Sequence, residues 1–142
     1  MHLRFATLVL SALVSAVVLN GCSTTGTNGS RSGMLFGRAA PGADYISALQ
    51  GGIVGRIPVK ISNGDRQRAL EAEYRALEQA GVGQPVTWTG SNVRGQVVAA
   101  APYQVGSQNC RQYTHSLFID GREVKERGAA CRNEDGTWTP LT

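Results

Sequence analysis

Residues 110–138 read CRQYTHSLFIDGREVKERGAACRNEDGTW, and the Asp120-Gly121 pair in their middle decides the fold. Asp-Gly suits the positive φ angles of a tight type I′ turn, so the flanking runs are predicted to fold back as an antiparallel hairpin. With a two-residue turn, Ile119 faces Arg122 and the numbers of every facing pair sum to 241. Cys110 and Cys131 satisfy that sum, so the turn alone sets the two thiols opposite each other. Pairs alternate between hydrogen-bonded and non-hydrogen-bonded outward from the turn, and this pair falls in the second class. Its Cα atoms are then expected about 4.5 Å apart, within reach of a disulfide. The same register sets Leu117 against Val124, His115 against Glu126, and Tyr113 over Gly128, where a ring can cover a position lacking a side chain.

The chain has 142 residues, enough for one domain with additions. His2 and Arg4 precede an uncharged apolar run, Phe5 to Leu19, too short for a membrane span and suited to a secretory signal over residues 1–21. The run ends in Leu19-Asn20-Gly21-Cys22, which resembles a bacterial lipobox. That resemblance implies cleavage before Cys22, a thioether-linked diacylglycerol on its sulfur and an acyl chain such as palmitate on its amine. One cysteine then goes to lipid, and two remain for a disulfide in an oxidising compartment. Only Arg4 among the charged side chains lies in residues 1–21, so the +4 of the whole chain becomes +3. The positives are scattered among acids, as on a solvated surface, and no basic cluster interleaved with aromatics points to nucleic acid.

Residues 22–33 are Ser/Thr/Gly-rich behind Cys22 and read as a flexible tether reaching about 17–20 Å. Residues 34–61 form a Gly-rich segment. Gly51 and Gly55 have the spacing of a membrane glycine zipper, yet Asp44, Arg56 and Pro58 bracket too few apolar residues for a span. The reading preferred here is a Gly-rich loop and short helix docked on the domain, the alternative a segment lying on the membrane surface. From 62 to 142 the chain reads as one domain. Ser62 or Asn63 starts a helix in which Leu70, Tyr74 and Leu77 join Ala69, Ala76 and Ala80 in one apolar stripe. Glu71 and Arg75 are placed for an i,i+4 ion pair, and Gly81 ends the helix at about Ala80. Strands are predicted at 85–89 and 95–101, with Pro102 as a breaker and 103–106 as a short edge piece. The hairpin, a turn at 133–136 and a last strand at 137–141 complete the pattern. The fold class is therefore α+β, a small antiparallel sheet of four to six short strands with one amphipathic helix packed on it, stapled by a disulfide.

No constellation for catalysis stands out. His115, the one histidine after Cys22, has no nucleophile or second histidine at motif spacing, and no metal or cofactor is expected. It reads as a surface or half-buried strand residue. The acids Asp120, Glu123, Glu126, Glu134 and Asp135 read as a solvated face. Arg111 and Arg132 each follow a paired cysteine and project from the face opposite the disulfide. With Tyr113 and Trp138 they make a candidate binding cluster for a carboxylate or phosphate. The competing reading is structural: Arg stacked on an aromatic ring and paired with Glu to hold the sheet.

Asp65-Arg66-Gln67-Arg68, Trp88, Gly95, Tyr103, Cys110-Arg111-Gln112-Tyr113-Thr114, Ala130-Cys131-Arg132 and Asp135-Gly136-x-Trp138 resemble the rickettsial 17 kDa surface-antigen lipoprotein family. The resemblance covers 62–142 and the lipobox. The family carries a long glycine-zipper hairpin, of which this chain keeps only Gly51 to Gly55. The resemblance implies an outer-membrane lipoprotein known chiefly as an antigen, without established catalysis, and Ser23 resembles the residue that permits outer-membrane sorting. A relative in alphaproteobacteria is an accessory lipoprotein of the β-barrel assembly complex. The expectation is thus a lipid-anchored, periplasm-facing module of the outer membrane that binds that complex or other envelope proteins. The alternative is an inhibitor of a peptidoglycan hydrolase or lysozyme, acting through a loop at 120–127.

Overall fold

The computed structural model describes residues 42–141. The expected signal peptide, Cys22 and the 22–33 tether lie outside the described residues. In chain order come α1 (Ala43–Ala48), α2 (Asn63–Glu78), β1 (Pro85–Thr89), β2 (Val93–Val105), β3 (Gln108–Ile119), β4 (Arg122–Arg132) and β5 (Trp138–Pro140). The strands form one antiparallel meander in the order β1-β2-β3-β4-β5. Helix α2 lies across one face. No helix among the described residues is long and apolar enough to cross a membrane.

The central hairpin follows the register set by its turn. Asp120 and Gly121 both take positive φ, 50° and 72°, and the facing pairs run from Ile119↔Arg122 out to Cys110↔Cys131. The two cysteines are joined, with their Cα atoms 3.9 Å apart, on the narrow side of what a non-hydrogen-bonded pair gives. Tyr113 does face Gly128, but the space above that glycine is filled by Ile53 and Arg56 rather than by the tyrosine ring.

Pro102 does not break its strand. β2 continues through it to Val105, and the register against β3 shifts between Ala99 and Pro102. A bulge is where a strand tolerates proline, because the missing N–H falls where the ladder is already interrupted. Beyond the bulge β2 and β3 stay paired to a turn at Gly106 with φ 59°, and only Gln104↔Asn109 and Val105↔Gln108 lie past the last β3–β4 pair, Cys110↔Cys131. At the other end of β2, Trp88 faces Gly95 and its indole occupies the space a Cβ there would need.

Helix α2 begins as its sequence indicates, the Ser62 hydroxyl accepting from the Asp65 N–H at 3.0 Å. It ends at Glu78, two residues before the expected Ala80. The expected Glu71–Arg75 ion pair is replaced by other contacts. Glu71 accepts from Gln67, and Arg75 Nε reaches the Glu71 carbonyl. The hydrophobic core also starts earlier in the chain than residue 62. Ile46, Leu49, Ile53, Val54 and Ile57 are buried in the same cluster as Leu70, Leu77, Val97, Tyr113 and Leu117. The described part of the Gly-rich segment is therefore docked on the domain. Gly51 and Gly52 take positive φ, and a side chain at Gly52 would collide with Glu73 and Leu70, so glycine here permits close approach to the helix.

Candidate functional site

The four side chains proposed as a binding cluster all sit on the helix-facing side of the sheet. Parity along the strands puts Arg111, Tyr113 and Arg132 on the face opposite the disulfide, as expected. What they meet there is α2 and the segment before it.

Arg111 is buried, 7% exposed. Its Nη1 donates to the carbonyls of Ala76, Leu77 and Ala80 at 2.8–3.1 Å, and its Nε donates to the Ala100 carbonyl at 2.9 Å. Helix C-termini leave carbonyls without intrahelical partners, and a cation there also suits the helix dipole. One guanidinium thus closes the end of α2 and ties it to the β2 bulge. Burial pushes its pKa below the ordinary value. The ring stacking and Glu pairing expected of a structural arginine are not what Arg111 makes; its partners are backbone carbonyls. Arg111→Ala is expected to cost about 2 kcal/mol, since hydrogen bonds to a charged group are lost while water reaches some of the freed carbonyls. Arg111→Lys should not restore it, because an ammonium cannot span the same carbonyls. Urea unfolding of both variants measures this.

Arg132 forms a two-pronged pair with Glu78, Nε to Oε2 at 2.9 Å and Nη2 to Oε1 at 3.0 Å, and the Trp138 indole N–H donates to the same carboxylate at 2.9 Å. This joins β4 and β5 to the last turn of α2. The Arg132 hydrogen bond holds the Glu78 carboxyl below its ordinary 4.5, with burial opposing and the Trp138 bond adding to it. A carboxyl lowered on folding stabilises the fold above its unfolded pKa, and that stabilisation drains away as pH falls through the lower folded value. The urea midpoint is therefore expected to fall with acidification below about pH 4.5. Glu78→Gln should remove part of that dependence while lowering stability near neutrality.

Tyr113 belongs to a buried polar cluster that the sequence reading did not assemble. At its centre is Glu73, wholly buried in α2. Its carboxylate accepts from the Ile53 N–H at 2.9 Å, the Val54 N–H at 2.8 Å, the Tyr113 hydroxyl at 3.2 Å and His115 Nδ1 at 2.7 Å. The Trp88 indole N–H meets His115 Nε2 at 2.9 Å. An indole nitrogen can only donate, so Nε2 carries the lone pair, the imidazole proton sits on Nδ1, and that proton is given to Glu73. Burial and the neighbouring Glu73 carboxylate push the Tyr113 phenol pKa far up. His115 faces Glu126 in the ladder as expected, but it is fully buried, not at the surface, and its side chain turns to Glu73. One signal was available. Glu73 falls on the apolar stripe, four residues from Ala69 and Leu77, and His115 shares strand parity with Tyr113 and Leu117.

Nothing in this cluster is open to a substrate. Every buried side-chain nitrogen and oxygen among the described residues has a hydrogen-bond partner. The acids read as a solvated face, Asp120, Glu123, Glu126, Glu134 and Asp135, are exposed.

Residues 75–139 match the family described as 17 kDa outer membrane surface antigen. The 17 kDa surface antigen of Rickettsia bellii is 35% identical over 92% of this chain and 94% of its own length. That of Rickettsia conorii is 38% identical over 52% of this chain and 48% of its own. No solved structure matches. Identity at that level, held along nearly the full length of both the chain and its Rickettsia bellii counterpart, makes this protein a member of the 17 kDa surface antigen family.

Proposed function

We propose that the protein is a non-catalytic binding module of the outer membrane, anchored through lipid on Cys22 and facing the periplasm. The observation that supports it is the direction of its polar chemistry. The groups from which an active site could be drawn, Glu73, His115, Tyr113 and Arg111, are buried and hydrogen-bonded among themselves or to backbone, where they bind loop, helix and sheet together. A domain so arranged offers a partner its surface shape and charge. The most concrete form of this reading is an accessory of outer-membrane β-barrel assembly, which rests on the family resemblance. Affinity purification of the acylated protein from detergent-solubilised membranes tests it. Barrel-assembly components should co-purify in fixed proportion, and their absence leaves a scaffold role without that partner. Mass spectrometry of the N-terminal peptide tests the anchor, which predicts an acylated Cys22. The inhibitor reading called for a loop at 120–127, but Arg122–Arg127 belong to β4 and only Asp120-Gly121 form the turn; a lysozyme assay tests what remains of it.

A further inference from the structure

Among the described residues no element covers the sheet face turned away from α2, and the side chains on that face are not distributed at random. Strand parity and register put Tyr103, the Cys110–Cys131 bridge and Thr139 in one row across it. The next row holds Gln112 and Ala129, with Leu141 continuing β5 through its N–H to the Ala129 carbonyl. Val98, Thr114 and Arg127 follow, and the far end carries Arg94, Phe118 and Glu123. Of the large apolar residues that are exposed, Tyr103 (37%), Val105 (45%) and Leu141 (43%) belong to this face, and Val82 (62%) borders the groove over Val98 and Ala129.

The charges on the face are unequal. Glu123 pairs with Lys125 at 3.2 Å. Arg94 lies over the Phe118 ring at 5.0 Å, and neither Arg94 nor Arg127 has a carboxylate within ion-pair distance among the described residues. A second copy of the same face would meet these cations with its own, which disfavours self-association. An apolar surface edged by uncompensated arginines instead complements an anionic lipid surface. The route of the chain agrees. Helix α1 packs beside β5, Tyr45 lying against Gly136, so the polypeptide arrives at the sheet edge that carries Leu141. Nineteen residues lie between Cys22 and Gly42 in the sequence.

We propose that this uncovered face is a membrane-docking surface, seated on anionic phospholipid by Tyr103, Leu141, Arg94 and Arg127. From the preceding reading it takes only that the chain is tied to a membrane. The test uses the chain from residue 22 with Cys22→Ser, so that no acyl chain contributes, and measures cosedimentation with vesicles of phosphatidylcholine containing phosphatidylglycerol or of phosphatidylcholine alone. Binding is expected only with phosphatidylglycerol and should weaken as salt is raised. Arg94→Ala with Arg127→Ala should reduce it about thirtyfold, the loss expected of two cations at an anionic surface. Tyr103→Asp with Leu141→Asp should reduce it about tenfold or more. Arg66→Ala with Arg75→Ala removes the same charge from α2 on the opposite side and should change it little. Thermal unfolding of each variant checks that the domain is intact. Equal losses from the two arginine pairs, or no binding to phosphatidylglycerol vesicles at low salt, would overturn the proposal. Acylation of Cys22 is read separately by mass, so failure of the anchor and failure of the docking face are distinct results.

Discussion

Glu73→Ala is expected to destabilise the domain by about 3–5 kcal/mol, the range for removing one partner of a buried, charged hydrogen-bonded group. The reason is the number of donors aimed at one carboxylate. Ile53 N–H, Val54 N–H, the Tyr113 hydroxyl and His115 Nδ1 all end there, and burial leaves no water to replace it. Glu73→Gln is the sharper variant because it keeps the volume. An amide offers one oxygen and one NH2, so a donor then faces a donor on one side. His115 cannot relieve this by moving its proton to Nε2, where Trp88 already donates. The glutamine variant should therefore lose most of what the alanine variant loses. Urea unfolding gives the magnitude. Amide exchange gives the place: Ile53 and Val54 should lose protection first, because their N–H groups and the 42–57 segment are released from α2. A glutamine variant as stable as the parent would show that packing, not the carboxylate, holds the segment.

How much of this was legible follows from which forces are local. The Asp120-Gly121 turn fixes strand parity by sterics, and strand parity fixes which residues face each other, so the whole β3–β4 ladder and its disulfide could be read from one dipeptide. The start of α2 at Ser62 was equally local. The path of β2 through Pro102 was not, because a bulge depends on the partner strand and leaves no mark of its own in the sequence. The Glu73 cluster was harder for a different reason. Two of its donors are backbone N–H groups of Ile53 and Val54, which any residue type could supply. The clue lay instead at Gly51 and Gly52, whose backbone geometry brings those N–H groups to the helix. Arg111 and Arg132 were placed on the correct face, but the carbonyls and carboxylate they meet belong to the far end of α2, 34 residues away for Leu77 and 54 for Glu78.

Replacing both Cys110 and Cys131 by alanine is expected to lower stability by about 3 kcal/mol, from the loop closed by a bond between residues 21 apart. In a domain this small that is a large share of the total. The loss should arise mainly in the unfolded chain, because the folded register has its own origin in the Asp120-Gly121 turn and in the Trp138 and Arg132 bonds to Glu78. Two observables separate these accounts. If the bridge restrains the unfolded state, the variant keeps its cross-strand contacts between β3 and β4, its urea midpoint falls, and its m-value rises as the unfolded chain expands. If the bridge instead holds the folded sheet in place, β5 should detach first, since Cys131 pairs directly with Thr139 in a strand of only three residues. Amide protection of Leu141, whose N–H bonds the Ala129 carbonyl, then disappears before that of the hairpin. The first outcome is expected, because β5 is also held from the opposite face by the Trp138 indole on Glu78, a contact the cysteines do not touch. Chemistry in the native protein points the same way. Both sulfurs belong to buried residues, 0% and 3% exposed, so reductant should open the bond at the rate of unfolding, and conditions that slow unfolding should slow reduction equally.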